Sequence, residues 1–155
     1  MVQSQKPKIN LKKTYIAFIR NSVGARSYRN FYAKHSGREQ DLLKKGELSC
    51  AFFVSSVLKV FELIGRVHLT VAGAQKDLES SGWIRRRNLK KIKPGDIIIW
   101  EQKKFSDGSH AHIGFFMGSK QAISSSASKK IIVRHHYIYR GKRSMQAAYY
   151  HQNLR

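Results

Sequence analysis

Residues 49–65 read SCAFFVSSVLKVFELIG, an apolar run that begins after a serine and ends at a glycine. Serine commonly caps the start of a helix, and glycine commonly follows the last turn. The run is apolar on most sides, which is typical of a helix buried in a protein core. We therefore predict a buried helix over residues 50–64, capped by Ser49 and closed by Gly65, with Cys50 in its first turn.

The sequence that follows changes from helix signals to strand signals. A second helix is predicted over residues 71–80, because Thr70 can cap its start and a Ser-Gly pair follows it. From Pro94 onward, short apolar runs are separated by turn residues, which predicts antiparallel strands. These runs cover residues 96–101, 112–117, 121–124 and 131–139, with a turn at 106–109. Helices followed by a strand meander indicate the α+β class.

Length and composition limit the kinds of protein that this chain can form. At 155 residues with 41% hydrophobic residues, the chain suits one domain with a core, which excludes wholesale disorder. A single cysteine excludes a disulfide scaffold, a zinc finger and an iron–sulfur site. No apolar run approaches the roughly 18 residues needed to cross a bilayer, and no signal peptide is visible. We expect a monomeric domain over residues 46–155, preceded by a basic extension over residues 1–45 that is made of short helices or irregular structure.

Positive charge dominates the chain, since 30 Lys and Arg residues against 9 Asp and Glu residues give a net charge of +21. Such a protein suits an anionic partner, which can be nucleic acid, a membrane surface or an anionic cell-wall polymer. Residues 46–84 are close to neutral, so the charge lies in the flanks. The densest basic run, residues 85–93, is either a solvated connector or an anion-binding patch.

Cys50 and four histidines supply the parts of a nucleophilic site. Backbone N–H groups and the positive end of the helix dipole are expected to lower the pKa of a thiol in a first helical turn. Candidate proton carriers lie on the later strands at His110, His112, His135 and His136. A histidine that is held by a third polar group can carry the proton of such a thiol. The alternative interpretation is a cysteine that serves only as a small buried hydrophobe.

Five short motifs follow one another along the chain. They are residues 49–54 (SCAFFV), 82–83 (GW), 93–100 (KPGDIIIW), 112–118 (HIGFFMG) and 122–124 (AIS). In this order they resemble the motifs of the NlpC-type and CHAP (cysteine, histidine-dependent amidohydrolase/peptidase) cell-wall enzymes. The resemblance covers about residues 46–139 and implies a papain-like fold, with the cysteine helix packed on a small antiparallel sheet.

The resemblance also implies a reaction. It implies a cysteine-dependent amidase or endopeptidase that cleaves amide bonds of peptidoglycan through a thioester acyl-enzyme. Cys50 is then the nucleophile, and His112 is the general base and acid. Asp96 is expected to hold a turn, whereas Trp100 and His110 are expected to bind substrate.

The third catalytic position departs from the family pattern. NlpC-type enzymes carry a His, Asn or similar group about a dozen residues after the catalytic histidine, and this count ends at Ser124. The resemblance therefore implies that Ser124 orients His112, with Ser125, His135 or His136 as alternatives. A serine hydroxyl can accept the imidazole N–H but offers no charge to stabilise an imidazolium.

No metal and no cofactor are expected, although the sequence leaves one rival site open. His110 and His112 are two residues apart on one predicted strand, so both side chains can face one metal ion. His135 or His136 would supply a third ligand. No Asp or Glu lies within this pair of strands to complete the set.

Two other function classes stay open. Ser124 in the third position, and Ser49 where many NlpC-type sequences carry Asp, are compatible with a catalytically silent module that binds the cell wall. Tyrosines among basic residues near the C-terminus are compatible with a nucleic-acid-binding protein. If the resemblance holds, the protein acts on the cell envelope, and basic residues such as Arg85 to Arg87 bind the anionic wall.

Overall fold

A six-stranded antiparallel sheet is the centre of the computed structural model, which describes residues 6–155. The helices are α1 (Leu11–Asn21), α2 (Cys50–Val60) and α3 (Val71–Ser80). The strands are β1 (Tyr32–His35), β2 (Arg38–Asp41), β3 (Trp83–Arg85), β4 (Ile97–Phe105), β5 (Gly108–Gly118), β6 (Gln121–Ser126), β7 (Ile131–His136) and β8 (Met145–His151). The sheet order is β3-β8-β4-β5-β6-β7, and β1 and β2 form a separate hairpin. This arrangement confirms the α+β class.

The main core lies between the helices and one face of the sheet. Phe53 of α2 meets Phe115 of β5 edge to face, with 5.5 Å between the ring centroids. Tyr15 of α1 packs on the same Phe115 ring at 6.0 Å, and its hydroxyl donates a hydrogen bond to the Gly95 carbonyl. Helix α1 therefore shares the core of the domain that the sequence predicts to begin at residue 46. That boundary stays a prediction.

Helix α2 begins where the sequence predicts but ends earlier. It stops at Val60 and not at residue 64, because Glu62 adopts a φ of 55° in the left-handed region. The Leu63 N–H then donates to the Leu58 carbonyl at 2.9 Å, which closes the last turn without a glycine. Ser49 does not cap the helix through its side chain, since its hydroxyl donates to the Gly46 carbonyl instead. The predicted caps at both ends were therefore wrong.

The other predicted elements have mixed outcomes. Helix α3 confirms the prediction over residues 71–80, with the Thr70 hydroxyl accepting from the Gly73 N–H. The predicted meander is present as β4 to β7. The sequence reasoning missed the β1–β2 hairpin and strands β3 and β8. No helix in residues 6–155 is long and apolar enough to cross a membrane.

Candidate active site

Cys50 opens helix α2 and lies against strand β5. Its thiol is free, and the residue as a whole is partly buried. The backbone N–H of Ile113 acts to lower the pKa of the thiol, which places the sulfur near the peptide bond that joins His112 to Ile113. Arg143 influences the pKa of both Cys50 and His112, which puts each of these two side chains within electrostatic reach of Arg143.

The pKa of the Cys50 thiol is raised, in contrast to the expectation from its place on the helix. Burial is the dominant cause, since a thiolate is disfavoured away from water. The N–H groups of Ile113 and Ala51 and the charge of Arg143 act in the opposite direction but do not outweigh burial. The helix end therefore holds a protonated thiol at neutral pH, and the predicted lowering of its pKa was wrong.

His112 lies on β5 in a packed and polar setting. Its ring stacks on the Trp100 indole with 5.2 Å between centroids and 29° between planes. Its Nε2 is 2.9 Å from the Ser124 Oγ. Burial lowers the pKa of His112 to about 3, with smaller contributions from the charges of Arg143 and His135. The imidazole is therefore neutral across the physiological range.

The register of β6 and β7 brings His135 to the same hydroxyl. Ala122 lies opposite His135, and Ser124 lies opposite Val133. Because side chains alternate along a strand, Ser124 and His135 share one face of the sheet and His136 lies on the other. The Ser124 Oγ is 2.8 Å from the His135 Nε2. Ser124 thus sits between two imidazoles.

The hydrogen bonds form a series from His112 through Ser124 to His135, and the direction of each follows from the group at the His135 end. The His135 Nδ1 is 2.9 Å from the His136 carbonyl, which only accepts, so Nδ1 carries the proton. Burial lowers the pKa of His135, and in the neutral ring Nε2 must then accept from the Ser124 hydroxyl. The Ser124 oxygen in turn accepts from the His112 Nε2–H. This assignment leaves the His112 Nδ1 unprotonated, as the basic atom of the ring.

Two further side chains belong to this site, and the sequence reasoning missed both. Tyr139 stacks on His135 with 4.2 Å between centroids, and its hydroxyl is 3.4 Å from the Ser124 Oγ. Arg143 is buried and donates hydrogen bonds to the carbonyls of Glu101 and His110 at 2.9 to 3.0 Å. Both residues lie in the aromatic and basic C-terminal stretch, where no spacing signal separates them from their neighbours.

Gly114 allows the supports of His112 to approach each other. A Cβ atom at this position would lie 2.8 Å from the Ser124 Cβ, 2.8 Å from the Ile123 carbonyl and 2.9 Å from the Trp100 ring. Such distances are shorter than carbon atoms tolerate without movement. The glycine of the His-Ile-Gly motif is therefore a packing requirement of the site.

The remaining candidates lie outside this hydrogen-bond chain. Ser125 is buried on the opposite face of β6. The His136 Nδ1 accepts from two backbone N–H groups, and the His110 Nε2 is 2.9 Å from the Asp107 carboxylate. Trp100 is fully buried beneath His112, and its indole N–H donates to the Tyr137 carbonyl. Within residues 6–155, no group of three His, Cys, Asp or Glu side chains has a geometry that suits a metal ion.

Asp96 holds a turn, as the sequence predicts. Its carboxylate accepts hydrogen bonds from the Lys93 backbone N–H and from the Arg86 guanidinium. These bonds fix the start of β4, the strand that carries Trp100.

Comparisons with known proteins identify the family and the fold of this chain. The profile of a family described as bacteriophage peptidoglycan hydrolase matches residues 54–154, which include His112, Ser124 and His135. No curated protein sequence matches. The solved structure of NlpC2 from Trichomonas vaginalis is similar with a TM-score of 0.55 and 15% identity, over 93% of this chain and 48% of that one. This chain therefore spans about half the length of that protein. By its sequence the chain belongs to the bacteriophage peptidoglycan hydrolase family, and its α+β fold is the papain-like fold of the NlpC type.

Proposed function

We propose that this protein hydrolyses an amide bond of peptidoglycan, with Cys50 as nucleophile and His112 as general base and acid. The observation that carries the proposal is the directed chain from His112 through Ser124 to His135. It supports a neutral imidazole whose Nδ1 lone pair is available, on the strand against which helix α2 packs. A histidine that served only as a core residue would not need this tautomer.

The first half of the reaction forms a thioester. As the Cys50 sulfur attacks the amide carbonyl, the His112 Nδ1 accepts the thiol proton. The resting pair is neutral, because the pKa of the thiol is raised and the pKa of the imidazole is lowered. Charge therefore separates only as the bond forms, and Arg143 stabilises the negative charge that develops beside the sulfur. The C–N bond then breaks, the imidazolium protonates the leaving amine, and the acyl group stays on Cys50.

The second half of the reaction uses water. The His112 Nδ1 accepts a proton from a water molecule that attacks the thioester carbonyl. The C–S bond breaks, the carboxylic acid product leaves, and the proton returns from His112 to the Cys50 sulfur. Each half restores the neutral imidazole that the Ser124 hydroxyl orients.

Ser124, His135 and Trp100 are positioning residues in this proposal. When His112 becomes an imidazolium, its Nε2–H still donates to the Ser124 oxygen, and the Ser124 hydroxyl still donates to His135. Two hydrogen bonds in series polarise one another and stabilise the charge more than an isolated hydroxyl does. Trp100 holds the ring plane from below and does not contact substrate.

The substrate amide lies within the stem peptide or between the sugar and the peptide. Membership of the peptidoglycan hydrolase family supports this polymer as the substrate, and the protein would then act on the cell envelope. The charge of +21 suits an anionic wall.

The proposal is tested by incubating purified peptidoglycan with the wild type, Cys50→Ala and His112→Ala, and reading the soluble products by mass spectrometry. Ser56→Ala, a partly exposed position on the same helix, is the matched control. We expect fragments from the wild type and the control only, and their masses identify the amide that is cut. Equal release by Cys50→Ala would overturn the proposal.

A further inference from the structure

A second surface of the molecule is built from cations and lies away from Cys50. It contains two adjacent hollows, of about 470 Å³ and about 410 Å³. The first is lined by Arg85, Arg86 and Arg87, and the second by Lys12 and Arg155 among other residues. We call these five residues the basic surface.

Tyr150 joins the two hollows. The Arg86 guanidinium lies 4.7 Å from the centroid of its ring, and the Arg155 guanidinium lies 4.1 Å from it. One cation from each hollow therefore rests on one aromatic ring, which holds both side chains in place by cation–π attraction. Both hollows therefore have a lining residue in contact with the same tyrosine.

The charge of this surface is poorly compensated. None of the residues that line the two hollows is Asp or Glu. The nearby Asp96 carboxylate pairs with the Arg86 Nε, and its side chain is only 6% exposed. Burial lowers the pKa of Lys12; the Asp96 carboxylate raises it, and Arg155, Lys93 and Arg86 lower it by like-charge repulsion. An anion that bound here would relieve this repulsion.

Arg86 also has an unused donor. Its Nη2 is buried and has no hydrogen-bond partner within residues 6–155. A buried guanidinium N–H without an acceptor is costly, and an oxyanion is the partner that a guanidinium binds best. This observation is independent of the charge count and identifies Arg86, which lines the first hollow, as a residue whose donor capacity is not fully used within the described part of the fold.

The basic surface does not overlap the candidate active site. β3, which carries Arg85, is separated from β5, which carries His112, by β8 and β4. Three strand spacings amount to about 14 Å. A polymer held at the basic surface would therefore leave the Cys50 site open.

We propose that the basic surface binds the phosphate groups of a phosphodiester-linked polymer of the cell wall, as an anchoring site separate from the catalytic one. Arginine forks pair with phosphate oxygens in a bidentate manner, and a polymer that carries successive phosphates can present one to each hollow. The choice of a wall polymer rests on the proposed function.

Single-stranded nucleic acid is less well suited to this surface. Its binding sites offer free aromatic rings on which bases stack. Neither hollow is lined by an aromatic residue, and the Tyr150 ring is already engaged by two guanidiniums. The surface offers charge and forked donors without a stacking platform.

The test measures sedimentation with intact cell walls in a Cys50→Ala background, so that the walls are not digested. The site variant carries Arg85→Ser, Arg87→Ser and Lys12→Ser, and leaves Arg86 in place because it pairs with Asp96. The control variant loses the same charge elsewhere, by Arg26→Ser, Arg38→Ser and Lys104→Ser at exposed positions. The same walls are also stripped of phosphodiester polymers with hydrofluoric acid.

Each basic residue that faces an anionic surface contributes about fivefold in affinity, so the site variant is expected to bind intact walls about 100-fold more weakly. The control variant should lose less than about tenfold. Stripping the walls should weaken binding of the parent protein as much as the site substitutions weaken binding to intact walls.

Three results would overturn the proposal. Equal losses in both variants would show that only net charge matters. Undiminished binding to stripped walls would show that phosphate is not the ligand. In a competition experiment, an oligonucleotide could displace the protein from walls at a lower phosphate concentration than the soluble wall polymer needs. That result would assign the surface to nucleic acid. Binding to walls does not require hydrolysis, so these results do not depend on the proposed reaction. Whether the reaction occurs is measured separately, by fragment release from peptidoglycan with the unmutated protein.

Discussion

Replacing Ser124 by alanine removes the link between two histidines. The hydroxyl accepts from the His112 Nε2–H and donates to the His135 Nε2, at 2.9 and 2.8 Å. Without it, both ring nitrogens lose their partner in a partly buried setting. His112 can then rotate or adopt the other tautomer, in which Nδ1 carries the proton and cannot act as the base.

The size of the effect follows from what the serine supplies. A buried polar group without a partner costs about 1 to 3 kcal/mol, so we expect the free energy of unfolding to fall by about 2 kcal/mol or more. Loss of a hydrogen-bonded orienting group typically lowers activity about 10- to 100-fold. In kcat/KM, this corresponds to a loss of about 1.4 to 2.7 kcal/mol of transition-state stabilisation. The loss should stay below the roughly 10⁴-fold effect of losing a catalytic carboxylate, because a hydroxyl carries no charge.

Ser125→Ala is the matched control, since Ser125 is the next residue, is also buried and lies on the other face of β6. Release of soluble peptidoglycan fragments is followed for both variants at substrate concentrations below saturation, with unfolding by urea measured in parallel. We expect Ser124→Ala to lose activity and Ser125→Ala to keep it. Equal activity of the two variants would refute the role of the hydrogen-bond chain.

Three other predictions follow from the same geometry. Gly114→Ala should lower kcat/KM about tenfold or more and destabilise the fold, because the new Cβ displaces Ser124 and Trp100; wild-type kinetics would contradict this packing argument. Alkylation of Cys50 by iodoacetamide should accelerate continuously up to about pH 9, because burial raises the pKa of the thiol; a rate that is already maximal near neutral pH would indicate a preformed thiolate. Asp77→Ala should reduce the free energy of unfolding by about 3 kcal/mol and leave kcat/KM of the folded protein unchanged, since this carboxylate accepts hydrogen bonds from His68, Ser81 and two backbone N–H groups. These bonds outweigh burial and lower the pKa of Asp77 to about 2, so its stabilisation is present above about pH 4 and is lost as the pH falls toward 2.

Local signals in the sequence predict much of the fold. Thr70 and the turn residues after Pro94 mark helix α3 and the meander, because capping and turn formation depend on a few adjacent residues. The end of α2 was not predictable in this way, since Glu62 takes a left-handed conformation that sequence patterns assign to glycine. Strand β3 has only three residues, which is too short for an alternating pattern.

The candidate site depends more strongly on tertiary structure. Sequence motifs indicate Cys50 and His112, but the choice of His135 over His136 requires the register of β6 against β7. The raised pKa of the thiol was also inaccessible, because burial by the surrounding fold outweighs the local effect of the helix end. Properties that arise from several distant elements cannot be read from one stretch of chain.

The measurement that tests the central claim most directly uses the single cysteine of the chain. Wild-type protein is alkylated with increasing iodoacetamide, the number of added groups is read by intact mass, and fragment release from peptidoglycan is measured on each sample. We predict that activity falls in proportion to modification and reaches zero at one group per chain, on Cys50. Undiminished release by fully alkylated protein would contradict a cysteine nucleophile.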